Sequence, residues 1–286
     1  MKIIKIAGRF ILLWLLVIVS MSVASAVSGI RQYVNFTPEQ MKSAALALPV
    51  VALSYAFVMA FIASSSAWRG LKLYCALFLA FFGINGFLAQ IETVVYLQHL
   101  VDRVPPAALP RIVFVSFLTG LLISFWTVLV YGRMSGRQQD NPDAAWLKIP
   151  AGELAWKIIL AGIAYVLVYF FFGVAIAKPL AGADFDRYYS GLKLPWWMPL
   201  FQTARGCVWA IIAIPVFKLM KGKREKAALA VALMFAVFIG MALITPNPFM
   251  TDGMRFGHLI ELLTSNFLNG WVVYWILSFK KPPFQP

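Results

Sequence analysis

The sequence predicts an all-α protein, a polytopic bundle of about eight transmembrane helices. Three observations predict it. Hydrophobic residues make up 62% of the 286 residues and charged residues only 13%, against roughly 45–50% and about 25% in soluble domains. The apolar residues fall in runs of about 20, the length that crosses a bilayer as a helix. Those runs lack the ~10-residue alternation of a barrel strand. Mean hydropathy, at +0.81, agrees. A soluble globular domain, a disordered chain and a disulfide scaffold are excluded.

The spans are expected at residues 10–27, 44–63, 71–97, 112–131, 158–177, 200–217, 227–245 and 259–279. The first also resembles a signal peptide, with a basic start, an apolar run and Ala24-Ser25-Ala26. Its run is long for such a segment, so an uncleaved anchor is expected. The second is apolar throughout. The third carries Glu92. The fourth is punctuated by Ser116, Gly120, Ser124 and Thr127, the small residues that allow close helix packing. The fifth is apolar, and the sixth is interrupted by Arg205. The basic run Lys218-Leu-Met-Lys-Gly-Lys-Arg-Glu-Lys226 precedes the seventh, and the eighth carries Glu261.

The whole chain, 1–286, reads as one integral membrane domain. A polar, turn-rich linker at 133–157 separates two four-span sets, 1–132 and 158–286. Each set has a basic loop between its second and third spans, which hints at a parallel duplication. Residue-level likeness between the halves is poor.

Lys and Arg in the loops set the orientation. With the N-terminus in the cytoplasm, 16 of the 25 basic residues fall on the cytoplasmic side and eight outside, with Arg205 in a span. An even number of spans then leaves both termini cytoplasmic, as in the inner membrane of a bacterium. The net charge of +14 is therefore a topology signal. It is spread over short loops, and no folded basic domain exists to bind nucleic acid. Membrane lipids are the expected surroundings, and the 218–226 run suits anionic ones.

Chemistry is expected at the charged residues inside the spans. Such residues are costly at membrane depth and face the bundle interior or a watery cavity. Asn85, Glu92, Tyr96 and His99 share one face of the third span. His258, Glu261, Ser265 and Asn269 share one face of the eighth, and Gln202, Arg205 and Trp209 one face of the sixth. With the orientation above, the charges of all three stripes lie near the outer ends of their helices. The outer loop at 178–199 adds Tyr188, Tyr189, Trp196 and Trp197. These rings suit the headgroup level, or a lid with Asp184, Asp186 and Arg187 on its polar rim.

Three roles fit these residues. The first is binding or transport of a small solute, ion or lipid in an outward-facing polar cavity. Glu92, Arg205 and Glu261 would supply the charges, with Asn85, Asn269 and Tyr96 as neutral ligands. Gly83 and Gly86 beside Asn85 would mark a break of the kind transporters use. The second is an intramembrane metal-dependent hydrolase or transferase acting on a lipid, with His99 and His258 as metal ligands beside the glutamates. No H-E-x-x-H motif supports it, and His99 is seven residues from Glu92, far for one metal. The third is an accessory subunit serving a membrane protein partner. A purely structural tie between Arg205 and a glutamate competes with all three. Cys75 and Cys207 lie apart in apolar segments and read as small buried hydrophobes.

Overall fold

A computed structural model describes residues 2–34, 36–95, 104–136 and 140–279. The chain is 82% helical, and the described residues form no strand. Eight long helices run in chain order: α1 (Lys2–Ser28), α2 (Pro38–Ser64), α3 (Gly70–Val95), α4 (Ala108–Val130), α5 (Ala151–Ala181), α6 (Met198–Leu219), α7 (Arg224–Ile244) and α8 (Asp252–Ser278). The first seven are long and apolar enough to cross a membrane. The eighth is 27 residues long but less apolar, because its polar stripe displaces apolar side chains. The chain is thus a multi-pass integral membrane protein with an all-α bundle.

The ends of the helices follow from local signals. Thr37 caps α2 in a capping box with Gln40, and Pro38 fills the first helical position. Thr251 caps α8 through the Met254 amide. The turn at Ser64-Ser65-Ser66 pairs with the chain after α6, through Ala67 N to Leu219 O at 2.7 Å and Lys221 N to Ser65 O at 2.9 Å. The 133–157 stretch is less open than its composition suggests. Its second half forms a short 3₁₀ helix, Pro142–Leu147, that buries Trp146 and Leu147, and α5 begins at Ala151, seven residues before the expected span.

The α7 helix is the most enclosed, and α1 and α5 are the most outward-facing spans. On α5, Leu167, Phe171 and Val174 are each at least 65% exposed, as acyl-chain contact requires. The α1 helix packs along α2 and α4, and Trp14 donates its indole N–H to the Pro49 carbonyl of α2 at 2.9 Å. The small residues of α4 do turn inward: Ser116, Thr119, Gly120, Ser124 and Thr127 are all buried.

Two features set the site. The α5 and α6 helices cross at Gly162 and Gly206, where a Cβ on Gly206 would come within 2.8 Å of the Gly162 Cα. Only glycine permits that approach. Second, α3 and α5 each contain a π-helical turn, at Phe82–Leu88 and Gly173–Ala177. Such turns rotate the side chains that follow and recur at functional sites.

Candidate functional site

Glu92 sits one turn beyond the π segment of α3. Its Oε2 accepts from Arg205 Nη1 of α6 at 2.8 Å. Its Oε1 accepts from the Tyr169 hydroxyl of α5 and from Gln202 Nε2 at 3.3 Å. Arg205 sends Nη2 to the Leu88 carbonyl at 2.8 Å, at the end of that π segment. Its guanidinium carbon lies 5.8 Å from the centroid of the Tyr165 ring, over its face. The glycine crossing of α5 and α6 is what delivers Tyr165 and Tyr169, one turn apart, to this pair. The Arg205 side chain is 4% exposed and that of Glu92 24%. Arg205 is thus sealed while Glu92 keeps one edge open.

A second chain of contacts runs down α8. His258 Nδ1 lies 3.2 Å from Glu261 Oε2, and Nε2 lies 3.0 Å from the Tyr189 hydroxyl. Ser265 Oγ donates weakly to Glu261 Oε1 at 3.4 Å. Glu261 is buried, at 6% exposure. Below it, Asn269 is buried with neither side-chain amide atom hydrogen-bonded among the described residues, and the buried Nε of Arg205 also lacks a partner there. The π turn of α5 positions this chain: a Cβ on Gly257 would meet the Ala177 carbonyl at 2.9 Å.

The structure joins Glu92 to Arg205 and His258 to Glu261, as two separate pairs near the first turns of α6 and α8. Arg205 lies seven residues into α6 and His258 six into α8, a rise of ~9–10 Å from the helix starts. Asn85 stands apart. Its side chain donates to Tyr55 Oη at 3.2 Å and the Phe238 carbonyl at 2.7 Å, and accepts from Ser116 Oγ at 2.8 Å. It ties α2, α4 and α7 to the π segment of α3, which spans the Gly83–Gly86 stretch expected to break the helix. Tyr96 and His99 lie outside the described residues. Among the described residues no three His, Cys, Asp or Glu side chains gather as a metal site, and both ring nitrogens of His258 are engaged.

Tyr165, Tyr169 and Tyr189 were not among the expected site residues. The i, i+4 pair of phenols on α5 was the available signal. In the loop at 178–199, Tyr189 contacts His258 while Trp196 is 89% exposed. Asp184 accepts from Thr251 Oγ1 at 2.9 Å. Asp184, Arg187 and Tyr188 face residues 248–251 across a surface cleft of about 460 Å³ at the same end.

Compared with known proteins, the chain matches no family model, no curated protein and no solved structure. Function rests on the site itself.

Proposed function

We propose that the protein binds and transports a small solute through the polar site at this end of the bundle, exchanging a proton at Glu261. One observation carries this reading. Glu92 has a permanent cation at 2.8 Å, whereas among the described residues the one ion-pair partner of buried Glu261 is His258, at 3.2 Å, which is charged only when protonated. An ionised residue at the centre of a membrane helix costs about 2.5–3.5 kcal/mol. The Glu92–Arg205 pair cancels its own charge and so can stand permanently. Glu261 keeps a net negative charge that a proton or a cationic group of a solute must balance.

The groups around Glu261 support such an exchange. His258 and Tyr189 lead from it to the outer loop, and Ser265 and Asn269 continue inward on α8. We assign this end to the outside, with both termini in the cytoplasm, from the distribution of Lys and Arg.

Infrared difference spectroscopy between acid and alkaline pH, on reconstituted protein, tests the proton step. A titrating carboxyl band should appear and be lost in Glu261→Gln. An unchanged spectrum in that variant would refute exchange at Glu261. Native mass spectrometry tests binding: an adduct of one per chain should be lost in Glu261→Gln, and its mass would separate ion, solute and lipid. Bare protein in both would shift the reading to an accessory subunit.

A further inference from the structure

At the opposite end of the bundle the first turns of α5 and α7 meet the last turn of α8 around a cleft of about 440 Å³. Lys148, Lys157 and Arg224 line it, with Glu153 as the one carboxylate. Glu153 is already spent: its Oε1 lies 2.8 Å from Lys157 Nζ. Lys157 is spent as well. It is 1% exposed and donates to the Leu277 carbonyl at 3.1 Å and the Phe279 carbonyl at 2.6 Å, where a cation favours the C-terminal end of α8. The other two cations are not. Arg224 stacks over Trp146 at 5.9 Å and forms no ion pair among the described residues, and Lys148 has no partner among them. Glu225, beside Arg224 on α7, does not line the cleft and forms no ion pair among the described residues. The cleft thus holds two uncompensated positive charges. Both α5 and α7 begin there without a side-chain cap, which adds to the attraction for an anion.

Apolar residues share the lining. Trp146, Ile149, Pro150, Leu277 and Phe279 line the cleft. Beyond it lies the outward-facing apolar surface of α5 and α8, where Ile159, Ile163, Trp275 and Phe279 are each 49–59% exposed. A polar cleft that opens onto an acyl-chain surface is the shape of a phospholipid, headgroup in and chains alongside. Free phosphate would use only the charged part.

We propose that this cleft binds the phosphate headgroup of an anionic phospholipid, held by Arg224 and Lys148. The site is independent of the polar cluster at the other end and of any transport reading.

The test is native mass spectrometry of the full-length protein released from nanodiscs of phosphatidylglycerol or of phosphatidylcholine. The wild type should keep one phosphatidylglycerol and no phosphatidylcholine. In Lys148→Ala, Arg224→Ala the retained lipid should bind roughly 30-fold more weakly, the scale for two basic residues near an anionic headgroup. Lys148→Arg, Arg224→Lys, which keeps both charges, should retain it. The melting temperature in phosphatidylcholine should be the same for all three, so a loss of lipid cannot be a loss of fold. Equal retention of both lipids, or undiminished retention in the alanine variant, would overturn the site. Bound inorganic phosphate with no retained lipid would overturn the lipid assignment.

Discussion

Glu92 and Arg205 form a pair in which neither member tolerates loss of the other. Glu92→Gln leaves a guanidinium at 4% exposure with the Leu88 carbonyl and no carboxylate. Removing one partner of a buried pair costs about 3–5 kcal/mol, and the 24% exposure of Glu92 argues for the lower end. Replacing both by neutral residues of similar volume should cost less than either single change, because no charge is stranded. Thermal unfolding of Glu92→Gln, Arg205→Gln and the double variant checks this, and simple additivity would count against a coupled pair. Both residues were visible in the sequence because a glutamate and an arginine interrupt otherwise apolar spans, but whether Arg205 meets Glu92 or Glu261 was not. Asn85 was equally visible, yet it is saturated by Tyr55, Phe238 and Ser116. Residue type announces a polar site but not whether its hydrogen bonds close on the protein itself. The phenols of Tyr165 and Tyr169 were hidden for the opposite reason, since a tyrosine in an apolar helix costs little and leaves no gap in the pattern.

The helices, by contrast, were legible in number and place, because a span is defined by its length in lipid and by the polar residues that stop it. Their starts were less so: α1, α5 and α8 begin seven or eight residues before the expected spans, and in α5 Glu153 and Lys157 lie four residues apart and bond to each other. Their charges made 151–157 look like loop, while their spacing is helical. The π turns were not legible as such. A change of helical register is decided by packing: Gly83 sits where a Cβ would come within 2.8 Å of Ile212. The crossing of α5 and α6 carries a prediction at this scale. In Gly206→Ala the new Cβ meets the Tyr165 Cβ at 2.6 Å and the Gly162 carbonyl at 2.9 Å, mostly backbone that cannot step aside. Overpacking of this kind costs roughly 1–3 kcal/mol and shifts Tyr165 and Tyr169 from the Glu92–Arg205 pair. Gly152→Ala, with nothing within 4 Å of its Cβ, should leave the melting temperature unchanged or raise it. Equal effects of the two would mean that the crossing is not tight.

Across the whole molecule, charge is divided between the two ends. One end carries the cluster that must manage a buried carboxylate, and the other carries the basic cleft and the 218–226 run. We assign that second end to the cytoplasm from its surplus of Lys and Arg, and the assignment of the polar site to the outside stands or falls with it. Cysteine accessibility in intact cells measures this directly. In a Cys75→Ser, Cys207→Ser background, Leu194→Cys probes the loop between α5 and α6, where Leu194 is 57% exposed. Lys223→Cys probes the turn between α6 and α7. A membrane-impermeant maleimide should label Leu194→Cys from outside and reach Lys223→Cys only after permeabilisation. The reverse pattern would invert the molecule, place Glu261 and its relay toward the cytoplasm, and make the solute one that is taken from inside the cell.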